Sequence, residues 1–524
     1  MKTHNIYLYL LLAGWSLLAA SCYDDKSTLQ TTDIPTVAIE VPEELTGDLS
    51  VVHNARLDVA GFRIVKDGVV NPSELTYEWT ASKTENESEP ISLATTREFH
   101  EVIDLPIYPT GYLLVLTVTD PEYDLRYQHK WKLYVTAQYN EGIVVAYTKD
   151  GTTSDLGLIM HPQLTEQYSG AAAGTVEKDL IKENNGSALP SPVTHMLYTY
   201  AKSSLQNMLW VATENDLMRI ETDYYGIMSH KEDVFVYQPE RLKIDKLLNT
   251  YQCTLIVNDG DIYETLLSRD RVSTPLSTTS GMTIDNNVIS AHSAPGYTRK
   301  PSTIFYDKAQ SKFCYGYNTA FHACSSIASG AFNPGSLPGM SAVAGGMSVD
   351  ATTHTLLMFD ENESKYRLYT FGNVSSEIDP TPKLVYDIPS EADAHIRDAV
   401  SVFFSLREPV LYIADPTGIY KLIFEPGAVA FDSKPVFEAP AGEHVTQAGL
   451  YLQGYFAMEN YESNAKLAWS SRAVVVVTSK DDMNDKIHVV PQINFGSGQL
   501  DQPNALVFDG FGKILDYTVA GLYK

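Results

Sequence analysis

The sequence predicts an all-β protein in two parts, a β-sandwich followed by a propeller-like array of hairpins. Three observations predict it. Short runs of alternating apolar and polar residues recur along the chain. Pro, Gly, Asn and Asp, the residues that build turns, bound these runs. Residues 34–137 hold no long segment with an apolar repeat of helical spacing. At 524 residues, 44% hydrophobic and 20% charged, the chain can fill more than one globular core.

Residues 34–138 carry the sandwich. In Leu75-Thr76-Tyr77-Glu78-Trp79-Thr80 the alternation puts Leu75, Tyr77 and Trp79 on one face of a strand. Tyr112 to Asp120 (YLLVLTVTD) and Trp131 to Ala137 (WKLYVTA) form a late strand pair. A mid-strand Trp fills a core more often than it meets a ligand.

Residues 139–524 change to paired β runs joined by tight polar turns. The pairs are Ile143 to Ile159, Met208 to Glu221, Cys253 to Leu266, Thr303 to Tyr315, His354 to Phe371, Pro409 to Phe424 and Ala473 to Val490. Asn258-Asp259-Gly260 supplies the positive φ of a hairpin turn, and Asp415-Pro416-Thr417-Gly418 is a Pro-initiated turn. The pairs begin roughly 45 to 65 residues apart, a period that suits four-stranded blades. A seven-bladed propeller is expected, closed when Lys513 to Val519 completes the blade that starts at Ile143. Two stacked sandwiches would also repeat hairpins at this spacing.

The N-terminus reads as a signal. Lys2 is the only charged residue before position 22, and an apolar run follows from Asn5 to Leu18, shorter than the roughly 20 residues a spanning helix needs. Leu18-Ala19-Ala20-Ser21-Cys22 resembles the lipobox of bacterial lipoproteins, with Ala19 where the pattern favours Leu and Ser21 where it favours Gly or Ala. The resemblance implies cleavage after residue 21, acylation of Cys22, a tether over 22–33, and contact with the membrane only through the lipid. Asp24 and Asp25 resemble the acidic signal that sends some lipoproteins to the exterior face of the outer membrane. Losing Lys2 takes the formal charge from −27 to −28, a field that repels phosphate backbones and argues against nucleic acid.

Tyr77, Trp79, Tyr112 and Asp120 occupy the places of a Y-x-W strand and a later Y-x-V-x-L-x-V-x-D strand, and here the chain resembles PKD-like, immunoglobulin-type domains. That resemblance implies that Trp79 fills the core between sheets and that the Tyr112 hydroxyl ties a corner. With Cys22 ahead of the sandwich and Gly512-Lys513-Ile514-Leu515-Asp516 near the end, the whole mature chain is similar to the PKD-like family of outer-membrane lipoproteins. Its members accompany SusC-like TonB-dependent transporters and SusD-like lipoproteins, which implies nutrient capture, of peptides rather than glycans. The family carries no established catalytic residues.

No H-E-x-x-H occurs among the 13 histidines, and no G-x-S-x-G elbow, phosphate loop or C-x-x-C appears. No catalytic residue, metal ligand or cofactor is therefore assigned. Among 65 acidic residues, carboxylate pairs cannot be recognised by spacing alone. The groups Asp259, Asp261, Glu264 and Asp481, Asp482, Asp485 lack calcium-loop order and read as solvated turns. With Cys22 acylated, Cys253, Cys314 and Cys324 remain; a Cys314–Cys324 bridge and two buried thiols are both open. Of 33 tyrosines, Tyr224, Tyr225 and Tyr297 lie outside the hairpins and, with Trp469, are the candidate ligand contacts. Gly330 to Gly346 reads as a long loop, and the stretches Pro275–Pro301 and Phe321–Gly346 as loops able to carry an interface.

The function expected is that of a non-enzymatic surface accessory of a SusCD-like uptake complex, binding a peptide or glycan ligand or partner proteins. A propeller hydrolase or lyase using carboxylates, and an adhesin or spacer with the sandwich as stalk, are the alternatives.

Overall fold

The structure, a computed structural model, describes residues 36–521 apart from 84–88, 109, 138, 140, 166–167, 169, 202–205, 250–252, 267–270, 273–274, 276–280, 283, 292–302, 318–319, 350–351, 373–379 and 454–466. The chain divides into two compact units, one ending at Thr136 and the other starting at Ala137. Both are β structures with a few short helical turns.

In the first unit a five-stranded sheet runs in the order Leu49–Val52, Leu125–Thr136, Tyr112–Asp120, Thr76–Ser82, Ile91–Ala94. A three-stranded sheet (Val37–Glu40, Arg63–Lys66, Val69–Val70) and the pair Arg56–Val59 with Phe99–Val102 contribute to the same core. Trp79 is fully buried at its centre, stacked on Trp131 with ring centroids 5.4 Å apart and packed against Phe99 and Phe62. Its indole N–H donates to the Thr96 carbonyl, so the burial leaves no polar atom unsatisfied. The Tyr112 hydroxyl donates to the Pro106 carbonyl at 2.7 Å, the corner tie that the sequence led us to expect. Asp120 forms a buried ion pair with Lys66 at 2.8 Å. The last strand begins at Leu125, not at Trp131. Its first half alternates exposed Arg126, Gln128 and Lys130 with half-buried neighbours, too polar a pattern to announce a strand.

In the second unit, seven successive sheets appear among the described residues. Each hairpin predicted from sequence supplies the second and third strands of one sheet, counted outward from its inner strand, from Gly142–Thr148 with Asp155–Met160 in the first to Ala473–Ser479 with Lys486–Ile493 in the seventh. The inner strand of the first sheet is Lys513–Ala520, antiparallel to Gly142–Thr148, so the chain's end completes the sheet its start began. Those of the second to seventh sheets are Val193–Ala201, Ile244–Asn249, Ile284–Ala291, Met340–Ser348, Ser401–Phe404 and His444–Leu450. Each touches the next in order. Gln447 of the seventh donates to the Leu515 carbonyl of the first at 2.7 Å and closes the circle.

A hydrophobic layer separates every sheet from the next. Val144 and Ala146 pack with Leu209 and Val211 between the first and second sheets, while Ile143, Val145 and Tyr147 pack with Val475 and Val477 of the seventh. Alternate residues of one strand thus serve two layers. That is why these strands read as near-continuous apolar runs, GIVVAYT and AVVVVTS, instead of apolar–polar alternation. The unit is a closed, propeller-like ring. In the third sheet, Asp259 (φ 47°) and Gly260 (φ 87°) make the expected hairpin turn.

Two expectations are corrected. The glycine-rich loop stops before Met340, where the strand Met340–Ser348 that holds Gly345 and Gly346 begins. A Cβ on Gly346 would stand 2.7 Å from the Phe404 ring, so the glycine allows the fifth and sixth sheets to approach. Likewise the stretch Pro275–Pro301 is interrupted by the inner strand Ile284–Ala291, and Phe321–Ala323 ends another strand. The open question of Cys314 and Cys324 is settled by packing. Cys314 lies in the layer shared with the third sheet and Cys324 in the layer shared with the fifth, on opposite sides of the fourth sheet.

Candidate functional site at the inner rim of the ring

Cys22, Asp24, Asp25 and Tyr297 lie outside the described residues. The other predicted contacts do not form one site. Tyr225 is fully buried between the first and second sheets, edge-on to Tyr139 at 5.4 Å, and burial pushes its hydroxyl well above the usual phenol range. Its place is in the core, because a ring with no solvent face has nothing to offer a ligand. Tyr224 is half-buried, and its backbone N–H donates to the Glu221 carboxylate. Trp469 is half-buried against the layer between the seventh and first sheets.

The feature that sequence reading missed is a set of β-bulges in the inner strands. Pairing with the neighbouring strand skips Leu515 in the first sheet, Thr194 in the second, Asp245 in the third, Val343 in the fifth and Thr446 in the seventh. All fall within the first four residues of their strands. A bulge bends its strand and re-aims the side chains around it. The residues just after these bulges are Asp516, His195, Lys246, Ala344 and Gln447, the first three on consecutive sheets.

Side chains near the bulges stitch the inner strands together. Asp516 Oδ2 accepts the Met196 N–H at 2.6 Å, and Thr518 Oγ1 accepts the Tyr198 N–H at 3.1 Å. Asn249 donates to the Tyr198 carbonyl at 2.7 Å, Ser290 to the Gly346 carbonyl at 2.7 Å, and Ser401 accepts the Ala448 N–H at 3.0 Å.

Three titratable groups stand on one arc of this rim. Burial pushes the Asp516 carboxyl up to about 7 against the two backbone N–H bonds that favour its charge. His195 is lowered by burial, opposed by the Asp245 charge and a hydrogen bond to the Asp245 backbone; the nearby Lys246 charge lowers it further. Its Nδ1 is buried without a hydrogen-bond partner. Lys246 is lowered by burial, and no carboxylate among the described residues pairs with it. Asp245 is engaged elsewhere, 3.0 Å from Lys243. Lys246, His195 and Asp516 keep partial solvent exposure. The sequence signal was one charged or imidazole residue inside an otherwise apolar strand, as in IDKLLN and KILDYTVA.

Polar clusters elsewhere are sealed. Thr478 donates to Glu443 at 2.6 Å and meets His488 Nε2 at 2.9 Å, while Ser290 meets His354 Nδ1 at 2.8 Å. His488, Ser290 and His354 are buried, which suits structural ties. On the sandwich, Asn71, Ser73, Tyr77, Arg97, Glu98 and His100 line an open depression of about 420 Å³. Asp259 faces Arg241 and Lys243, at 3.8 and 3.7 Å. Among the described residues, no group of three or more His, Cys, Asp or Glu is placed to hold a metal ion, and no helix is long and apolar enough to cross a membrane.

Residues 22–192 match the PKD-like family. The match spans the whole PKD-like sandwich and reaches the connection just ahead of Val193, where the second sheet of the ring begins. No curated protein matches the chain. Among solved structures, similarity extends to a quinonprotein alcohol dehydrogenase-like protein of Bacteroides thetaiotaomicron, 13% identical over 92% of this chain and 99% of that one, with a TM-score of 0.37. Apo AztD from Citrobacter koseri is 8% identical over 84% and 97%, with a TM-score of 0.33. The β-propeller domain of Cps50 (Swd1) from Myceliophteria thermophila is 10% identical over 61% and 87%, with a TM-score of 0.32. At these values the likenesses carry no argument about function.

Proposed function

We propose that this chain is an outer-membrane lipoprotein, anchored through Cys22 and facing the cell exterior, that serves a SusCD-like TonB-dependent uptake complex by binding its ligand. The order of parts carries the reading. A lipobox-like Cys22 with Asp24 and Asp25 opens the segment 22–192 that matches the PKD-like family, and a closed ring follows. A short tether, a sandwich and a ring that presents loops and an inner rim suit capture at a surface. The ligand expected is an oligopeptide.

Pull-down from gently solubilised outer membranes tests the partners. The SusC-like transporter and the SusD-like lipoprotein should be recovered with the chain, and their absence would count against the reading. Replacing Cys22 by Ala should release the protein from membranes, because only acyl chains hold it. Replacing Asp24 and Asp25 by Ala should keep the lipid but hide the protein from protease added to intact cells. Unchanged protease sensitivity would remove the acidic pair as the export signal.

A further inference from the structure

We propose that Lys246 and His195 form a binding site for a carboxylate whose neighbouring atom carries a hydrogen-bond donor. The inference deepens the proposed function and rests on it for the idea that the ring captures a ligand.

Lys246 directly follows the bulge in the third inner strand, and His195 directly follows the bulge in the second. Those two inner strands pack side by side in the ring, and the Lys246 charge disfavours protonation of His195. An ammonium partly enclosed by protein and left without a carboxylate is costly, since a charge that loses hydration needs a partner to offset the loss. Asp245, the nearest candidate on its own strand, is held by Lys243 at 3.0 Å and accepts the Gly260 N–H at 3.3 Å. Asp516, on the other side of His195's strand, accepts the N–H groups of Met196 and Tyr517. An anion from outside is therefore the natural counter-charge.

His195 fixes a second requirement. Its imidazole bonds to the backbone of Asp245, while Nδ1 is buried with no partner. When one ring nitrogen donates to a carbonyl, a neutral imidazole leaves the other as an acceptor. A ligand that puts a carboxylate on Lys246 and an N–H or O–H on Nδ1 satisfies both groups at once. The free C-terminus of a peptide and a 2-hydroxy acid both carry that pair one carbon apart. Both sources share the chemistry.

The test uses the full-length purified protein and titration calorimetry with tri-alanine, tri-alanine amide and lactate. At least one of the two acids should bind saturably, and the amide should bind at least tenfold more weakly than tri-alanine if the peptide is the source. Tri-alanine alone identifies a peptide C-terminus, and lactate alone a hydroxy acid. Lys246→Met, which keeps length and removes charge, should abolish binding without lowering the melting temperature, and His195→Phe should weaken it at least tenfold. Reductive ¹³C-methylation of the lysines gives a second readout, in which the Lys246 signal should shift with the acid that binds. Saturable binding that survives Lys246→Met overturns the site, as does the absence of binding by both acids together with an unmoved Lys246 signal. Recovery of the transporter in the pull-down despite that result would leave the accessory role standing and remove only this site.

Discussion

The carboxylate of Asp516 accepts the backbone N–H of Met196 at 2.6 Å across 320 residues of sequence. It joins the strand that closes the ring to the strand that opens the second sheet. Two residues earlier in the same strand, Ile514 donates its N–H to Asp485 Oδ2 at 2.8 Å, and the Asp485 N–H donates to the Gly512 carbonyl at 3.0 Å. Two carboxylates thus fix the position of the closing strand.

The first prediction concerns pH. Asp516 titrates near 3.8 when unfolded and at about 7 in the fold, so the folded state holds the proton more tightly. Its contribution is complete below about pH 4 and is lost as pH rises through 7, with a ceiling on the order of 4 kcal/mol. Asp516→Asn removes the titration. Melting curves from pH 4 to 8 should show the natural protein losing stability relative to the variant, and parallel curves would refute the assignment.

His488 should show the opposite slope. Burial pushes it down to about 4 from 6.5, so the unfolded chain binds its proton first on acidification. Stability from this group is full above about pH 6.5 and is lost as pH falls through 4, a change of about 3 kcal/mol. His488→Gln should flatten that acid limb in denaturant titrations.

Removing residues 513–524 should unfold the ring. The deletion takes the inner strand from the first sheet, uncovers the edge of Gly142–Thr148 and removes Ile514 and Val519 from the layer shared with the seventh sheet. Removing residues 34–137 should leave the ring's melting transition in place, since the second compact unit starts at Ala137. Comparable melting after both deletions would place ring closure elsewhere.

In the sandwich, Lys66→Met should destabilise the fold, because it leaves the buried Asp120 carboxylate, now 2.8 Å from the Lys66 ammonium, without its counter-charge. Pairing it with Asp120→Leu should recover much of that loss. Chemical denaturation of the single and double variants measures both, and an additive double variant would mean that the pair is not coupled.

The sequence by itself determined the all-β class, the sandwich with Trp79 at its centre, the hairpin in every sheet of the ring and the closure by Lys513 to Val519. These are legible because apolar alternation and turn residues are local signals, set by a strand's own neighbours. The tertiary structure decided the rest. Val193–Ala201, Ile244–Asn249 and His444–Leu450 are hidden in the sequence because bulges at Thr194, Asp245 and Thr446 break the two-residue period and polar side chains interrupt the apolar run. Tyr225 looked available in sequence yet lies in a core layer, since exposure depends on what packs against a residue from a distant part of the chain. For the same reason only the closed ring sets Asp516, His195 and Lys246 on consecutive inner strands. Their placement depends on the register and bulging of strands far apart in sequence, which no local pattern encodes.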